Sequence, residues 1–165
     1  MKTLIVYSSK SGNTRKLAEA VFDFLPGEKI LKPVIERPDP AEYDFVVIGF
    51  WLQAGKADPA STEYLEKLAP SNVFLFATHG AGTDSAHALN AMKVAKELVG
   101  TSKIFGSFSC QGEVKAEFLA KVQKKDPPPP WIKDAPAAVG HPNTTDIADL
   151  QKELERAVTL LRSSI

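Results

Sequence analysis

Cysteine is nearly absent from this chain, which has one such residue, Cys110, among 165. One cysteine cannot form an internal disulfide, so a reducing, cytoplasmic compartment is the simplest expectation. No apolar run approaches the length of a membrane span, and the apolar run after Met1 and Lys2 is too short for a signal peptide. The sequence therefore predicts no membrane association.

An excess of charge is also missing, because 20 basic residues balance 20 acidic ones. Nucleic-acid binding, which requires clustered excess Lys and Arg, is therefore not expected. The three histidines and Cys110 show no spacing typical of metal ligands, so we predict no metal site. With 44% hydrophobic residues, the chain has the composition of a globular protein, and we expect a single domain over residues 1–165.

Short apolar runs alternate with amphipathic segments along the chain. Continuous apolar runs indicate strands buried on both faces, as in a parallel sheet. Alternation with helices predicts an α/β fold of three layers, a doubly wound five-stranded parallel sheet of order 2-1-3-4-5. The predicted strands are 4–6, 29–35, 45–50, 73–77 and 104–108, and the main predicted helices after the first are 61–68, 85–99, 113–122 and 145–162.

A proline-rich segment, 127–130, precedes Trp131 and interrupts this pattern. Consecutive prolines favour an extended path and do not fit a helix interior. We interpret residues 126–142 as an insertion within the domain rather than a domain boundary. Two roles remain open: a stiff spacer, or a segment that docks a partner or covers a cofactor with Trp131 as its anchor.

Four turns, 8–14, 51–58, 78–85 and 109–112, follow the carboxyl ends of predicted strands and should meet at one edge of the sheet. The first offers hydroxyls, backbone N–H groups and a helix N-terminus, which together suit a phosphate. It matches neither the nucleoside-triphosphatase loop nor Gly-x-Gly-x-x-Gly, so a monophosphate fits better. Its predicted ligands are Ser9, Ser11, Asn13 and Thr14, with Lys10 either assisting or simply solvated. The alternative is that Ser11, Asn13 and Thr14 only cap the helix.

The segment 7–14, Tyr-Ser-Ser-Lys-Ser-Gly-Asn-Thr, resembles the phosphate-binding loop of the flavodoxins, Ser/Thr-x-Ser/Thr-Gly-x-Thr. The resemblance extends along almost the whole chain and agrees with the flavodoxin-like strand order. Further segments are similar to a branch of small bacterial flavodoxin-like proteins that accompany bilirubin reductases. These segments are 43–44, 49–51, 55–58, 106–112 and 140–142.

The resemblance implies noncovalently bound FMN, with its phosphate on residues 9–14 and its ring between the turns after the third and fourth strands. It implies no catalytic residue in the protein. The implied cofactor-binding residues are Ser8, Ser9, Lys10, Ser11, Gly12, Asn13, Thr14, Trp51, Leu52, Gln53, Ala54, Gly55, Thr78, His79, Gly80, Ala81, Gly82, Asp84 and Cys110.

Trp51 becomes the expected stacking partner of the flavin ring, the alternative being a partly buried aromatic at a strand end. Gly55 would let a backbone carbonyl turn toward flavin N5. Lys56 and Asp58 either influence the redox potential or face water. The loop 78–84 lacks the aromatic residue that many flavodoxins place there. The second ring face would then be covered by small residues and backbone, by Trp131, or by nothing.

The remaining reactive side chains are expected to be structural. A histidine at a strand end, such as His79, is more often hydrogen-bonded than catalytic. His87 and His141 lie near predicted helix starts. Cys110 either lies near the flavin edge or is a small buried thiol.

The resemblance implies an electron carrier between redox partner proteins, an unidentified reductase and acceptor. The neutral net charge of the chain predicts weak electrostatic steering toward these partners. The first alternative is an FMN-dependent NAD(P)H oxidoreductase acting on a quinone or another small acceptor, and an open second ring face would favour it. The second alternative is an interaction module without flavin. The sequence makes no prediction of the oligomeric state.

Overall fold

The computed structural model describes residues 1–164. Six strands and five α-helices make up most of this part of the chain. The strands are β1 (Lys2–Tyr7), β2 (Glu28–Pro33), β3 (Phe45–Gln53), β4 (Lys56–Ala57), β5 (Asn72–His79) and β6 (Lys103–Gln111). The α-helices are α1 (Asn13–Phe24), α2 (Pro59–Glu66), α3 (Ala86–Leu98), α4 (Ala116–Gln123) and α5 (Thr144–Arg162), with 3-10 helices at Val34–Glu36 and Pro130–Ala138. None of these helices is both long and apolar enough to cross a membrane.

Five strands form a parallel sheet of order β2-β1-β3-β5-β6, flanked by helices. The predicted doubly wound α/β fold and its strand order 2-1-3-4-5 are therefore confirmed. The sequence did not predict β4, which adds a sixth strand by pairing antiparallel to the end of β3. The chain reverses there through Ala54 and Gly55, whose φ angles of 52° and 78° are typical of a tight hairpin turn.

Three strands extend beyond the apolar runs that predicted them. The pairs Trp51↔Thr78 and Thr78↔Cys110 continue the ladder, so these residues lie in strands rather than in the predicted turns. Backbone pairing does not require apolar side chains, so a strand can continue through polar residues. Prediction from apolar runs therefore assigned the polar ends of these strands to turns. The turns at this edge of the sheet are consequently shorter than predicted.

The core consists of two layers, one on each face of the sheet. On one face the sheet packs against Leu17 and Val21 of α1 and against Leu150 and Leu154 of α5. On the other face it packs against α2 and α3. This arrangement leaves the carboxyl edge of the sheet free for a ligand, as expected for a doubly wound fold.

The segment between β6 and α5, residues 112–143, is not part of either layer and is called the β6–α5 connection below. It contains α4, which begins at Ala116 rather than at the predicted residue 113. Before α4, the backbone N–H groups of Gly112 and Glu113 donate hydrogen bonds to the carbonyls of His79 and His141. The last of the four prolines, Pro130, starts a 3-10 helix instead of continuing an extended path. Proline is tolerated at that position because the first helical N–H needs no partner within the helix.

Candidate functional site

A cavity of about 700 Å³ opens at the carboxyl edge of the sheet. Its volume is within the range of ligand sites, and its lining is mainly apolar. The turn after β1, the ends of β3 and β5 and the β6–α5 connection all contribute to it. The implied cofactor-binding residues that line it are Lys10, Ser11, Asn13, Thr14, Trp51, Leu52, Gln53, Ala54, Thr78, His79, Gly80 and Ala81.

The other implied cofactor-binding residues do not line the cavity: Ser8, Ser9, Gly12, Gly55, Gly82, Asp84 and Cys110. Sequence reasoning in turn missed much of the wall formed by the β6–α5 connection. The lining residues not assigned to the site are His87, Gly112, Glu113, Val114, Lys115, Phe118, Val122, Lys125, Pro129 and Pro130. Trp131 also lines the cavity, and the sequence suggested it only as the anchor of a segment that docks a partner or covers a cofactor. One sequence signal for this wall was available. Val114, Phe118 and Val122 form the apolar side of an amphipathic pattern, and no further predicted strand follows on which this side could pack.

The first turn leaves the N-terminus of α1 without a side-chain cap. Gly12 is the N-cap residue, with a φ of 98°, and no side chain caps the helix. The interpretation that Ser11, Asn13 or Thr14 caps it is therefore wrong. Ser9 Oγ instead accepts a hydrogen bond from the Gly12 N–H at 3.2 Å. The N–H groups of the first helical turn lie beside the cavity, where the helix dipole favours an anion.

Three other helices have the side-chain caps that α1 lacks. Asp58 accepts a hydrogen bond from the N–H of Ser61 in α2, and Ser85 caps α3. Asn143 caps α5. α4, like α1, has no side-chain cap. In the hydroxyl-rich turn before α1, the missing cap leaves the N–H groups of the first helical turn open to an external anion.

Hydrogen bonds hold the first turn against the sheet. The Ser8 hydroxyl donates to Asp58 Oδ1 at 2.9 Å, which places Ser8 in a supporting position. The Thr14 hydroxyl lies 2.8 Å from that of Thr78, which joins the start of α1 to β5. Asp58 is only 2% exposed. The interpretation that its side chain faces water is therefore wrong.

Aromatic side chains from two parts of the chain line the cavity. Trp51 comes from the end of β3, and Phe118 of α4 stacks on Trp131 with ring centroids 6.4 Å apart. Lys10 Nζ is 5.3 Å from the centroid of Trp51 and 5.6 Å from that of Phe118. Lys10 therefore contacts both aromatic groups, and Trp131 lines the same cavity.

The β6–α5 connection is anchored to the turn after β5. The Gly82 N–H donates to Asp134 Oδ2 at 2.9 Å, and the Gln111 amide donates to the Asp134 carbonyl at 3.2 Å. Trp131 approaches Gly80 so closely that a Cβ there would lie 3.2 Å from its ring. The same Cβ would lie only 2.7 Å from Val114 Cγ2, so glycine at this position allows both Val114 and Trp131 to pack against the turn after β5.

The hairpin turn between β3 and β4 borders the same cavity. Ala54 adopts a positive φ of 52°, a conformation that costs a residue with a Cβ of order 1 kcal/mol. His87 packs beside it, and a Cβ on Gly55 would lie 3.4 Å from His87 Cε1. Gly55 adopts a positive φ of 78°, which glycine tolerates, and the turning of its carbonyl toward flavin N5 stays a prediction.

The histidines and the cysteine have distinct environments. Cys110 is 2% exposed in the core, and burial raises the pKa of its thiol, so it is the inert buried thiol of the second interpretation. His141 Nδ1 lies 2.6 Å from Asp146 Oδ2. His79 is buried at the cavity, and burial lowers its pKa. No cluster of potential metal ligands occurs within residues 1–164.

Comparisons with known proteins agree with this geometry. The sequence profile of the family described as flavodoxin domain matches residues 4–155. A flavodoxin-like domain-containing protein BilS from Clostridioides difficile (strain CD3) is 33% identical over 129 residues, covering 75% of this chain and 73% of that protein. A protein of the same name from Clostridium symbiosum (strain WAL-14163) is 31% identical over an alignment of 183 residues, covering 96% of both chains.

Solved structures show the same fold at low sequence identity. A Streptococcus pneumonia TIGR4 flavodoxin superposes with a TM-score of 0.65 at 14% identity, covering 96% of this chain and 99% of that one. A flavoprotein from Lactobacillus acidophilus NCFM, solved in complex with FMN, gives 0.50 at 21% identity, covering 66% of this chain and 92% of that one. The profile match spans most of the chain, and the curated relatives agree with the predicted branch of small bacterial proteins. The chain therefore belongs to the flavodoxin domain family.

Proposed function

We propose that the protein binds FMN in the cavity and carries electrons between redox partner proteins. One observation carries the proposal: the uncapped N-terminus of α1 opens beside the same cavity that Trp51 lines. FMN combines a phosphate with a flat aromatic ring, which are the two chemical groups that these features accommodate.

The phosphate end of the site would be formed by the first turn. The N–H groups at the start of α1 and the hydroxyl of Ser11 are available as donors. Ser9 Oγ accepts the bond from Gly12 and keeps its own proton to donate. Lys10 adds a positive charge at the cavity. The residues present thus fit a monophosphate, and the neutral net charge of the chain does not prevent a locally cationic site.

The ring end of the site would be formed by the aromatic and small residues of the cavity. Stacking on Trp51 adds to the free energy gained by burying apolar surface. When bound, FMN supplies the electron-transfer chemistry, and the protein binds and orients the ring and excludes water from it. FMN occupies the Lactobacillus acidophilus flavoprotein of the same fold, which supports this assignment.

The Phe118–Trp131 pair favours a carrier over a stand-alone reductase. The loop 78–84 has no aromatic residue, but this pair reaches the same cavity from the β6–α5 connection. A ring covered on its second face is less accessible to a hydride donor, which an FMN-dependent NAD(P)H oxidoreductase requires. The expected partners are an unidentified reductase and acceptor, and the proposed location is the cytoplasm, where a lone thiol stays reduced.

Stepwise reduction of the purified holoprotein distinguishes the two functions. A carrier is expected to take up electrons in two resolved one-electron steps and to consume no NAD(P)H steadily unless a separate reductase is added. Absorbance spectra during reductive titration and the rate of NAD(P)H oxidation with a quinone acceptor measure both properties. A single two-electron step with steady NAD(P)H consumption by the holoprotein alone would show the oxidoreductase instead.

A further inference from the structure

Lysines surround an exposed aromatic side chain on α4, beside the cavity. Phe118 lines the cavity and is 47% exposed. Lys115 and Lys121 lie three residues before and after it, and side chains at this spacing are neighbours on a helix. Lys124 and Lys125 directly follow the end of α4, and Lys125, like Lys115, lines the cavity. These five residues, Lys115, Phe118, Lys121, Lys124 and Lys125, are called the α4 surface below.

The α4 surface carries positive charge in a chain whose net charge is zero. Residues 115–125 contain four lysines and one acidic residue, Glu117, and all four lysines are exposed. None of the ion pairs formed within residues 1–164 includes these lysines, whereas the exposed Lys67 and Lys152 each have a carboxylate partner. The charges of the α4 surface are therefore not neutralised by ion pairs within this part of the chain.

The neighbouring charged groups do not reverse the sign of this surface. Lys10 adds a fifth cation, 5.6 Å from the centroid of the Phe118 ring. Glu113 and Asp126 flank the segment in sequence, and Glu113 Oε2 accepts a hydrogen bond from the Gly140 N–H at 2.8 Å. With these groups included, five cations stand against three carboxylates.

We propose that the α4 surface docks a redox partner whose electron-transfer site is surrounded by carboxylates. This inference rests on the proposed function and adds the chemistry of the partner. Aromatic side chains are enriched at the centre of protein interfaces, and complementary charges steer the encounter. Docking there brings the partner against the cavity wall that Phe118 forms. Net charge alone predicts weak steering, whereas the position of these lysines predicts steering toward an acidic surface.

Two double variants test the position of the charges rather than their number. Lys121→Ala/Lys124→Ala removes two lysines of the α4 surface that do not line the cavity. Lys93→Ala/Lys96→Ala removes two exposed lysines of α3 that do not line the cavity either. Both variants change the net charge equally, and a fluorescence titration with FMN shows that each keeps its cofactor site.

Electron transfer from chemically reduced holoprotein to two haem proteins measures the steering. The haem edge of cytochrome b5 is surrounded by carboxylates, and that of cytochrome c by lysines. In each reaction one electron leaves the reduced flavin and converts haem iron from Fe³⁺ to Fe²⁺, which stopped-flow absorbance follows. At an ionic strength of about 10 mM, the α4 variant is expected to reduce cytochrome b5 about five- to tenfold more slowly than the wild type, and the α3 variant within about twofold of it. With cytochrome c the α4 variant should be at least as fast as the wild type.

Cytochrome b5 also serves as a binding probe that requires no flavin. Its addition to ¹⁵N-labelled protein at low salt is expected to shift the amide resonances of residues 115–125. Equal rates of the two double variants with cytochrome b5, or amide shifts confined to other parts of the chain, would overturn the inference.

The remaining outcomes separate this surface from other roles. Sedimentation with vesicles of phosphatidylcholine and phosphatidylserine that is lost in the α4 variant, with electron transfer unchanged, would show a membrane as the occupant and overturn the docking of a protein. Failure of the wild type to bind FMN would contradict the proposed function, and the amide shifts would then still decide whether the α4 surface binds an acidic protein.

Discussion

Replacing Trp51 with alanine is expected to weaken FMN binding by about 10- to 100-fold. Trp51 stands at the end of β3, lines the cavity and is held in the strand by pairing with Thr78. Stacking of aromatic rings contributes about 0.5–1.5 kcal/mol beyond burial of their area, and losing the buried indole adds a comparable or larger hydrophobic cost. The dissociation constant from a flavin fluorescence titration measures the effect.

Two control variants identify the cause of that loss. Trp51→Phe keeps a smaller stacking surface and should fall between the wild type and the alanine variant. Lys10→Met removes the cation that lies 5.3 Å from the Trp51 ring centroid but leaves the ring in place. Lys10 also contributes charge at the phosphate end, so this variant shows how much of any loss is electrostatic. A Trp51→Ala protein that binds FMN as tightly as the wild type would contradict the stacking role.

Replacing Gly49 with alanine is expected to destabilise the fold by about 1–3 kcal/mol or more. Gly49 lies in β3 opposite Phe76 of β5, and an added Cβ would lie 2.0 Å from Phe76 Cζ. Phe76 is fully buried, so its ring cannot move away without disturbing the core. Urea unfolding followed by circular dichroism measures the change in the free energy of unfolding.

Gly106→Ala provides a matched comparison within the same sheet. A Cβ at Gly106 would lie 3.0 Å from Phe74 Cε2, a much milder approach, and the loss of stability should be smaller. The double variant Gly49→Ala/Phe76→Leu should lose less stability than the sum of its single substitutions, because the smaller side chain makes room for the methyl group. Equal stability of Gly49→Ala and the wild type would show that the close packing of Gly49 and Phe76 does not constrain the sheet.

The sheet could be predicted because its strands are buried on both faces. Runs such as 45–50 and 73–77 are continuously apolar, and their alternation with amphipathic helices restricts the topology. The turn that we propose for the phosphate could equally be recognised, since its hydroxyls and glycine follow β1 directly. The ends of the strands could not be predicted from the sequence, because pairing such as Trp51↔Thr78 depends on backbone hydrogen bonds rather than on side-chain polarity.

The wall formed by the β6–α5 connection could not be predicted in the same way. The pattern of Val114, Phe118 and Val122 indicated an apolar face but not what it faces. The position of Trp131 depends on long-range contacts with the turn after β5, through Asp134 and Gly82. Such contacts leave no periodic signal, so the proline-rich sequence alone does not distinguish a stiff spacer from a segment that docks a partner or covers a cofactor.

Comparing FMN with riboflavin in a titration of the wild-type apoprotein tests the central claim most directly. The two ligands share the ring and the ribityl chain and differ only in the phosphate that we assign to the uncapped N-terminus of α1. The site predicts saturable binding of one FMN per chain, at least about tenfold tighter than riboflavin, because charge-assisted hydrogen bonds to the phosphate are lost with riboflavin. Equal affinity for both ligands, or no binding of FMN, would contradict the account.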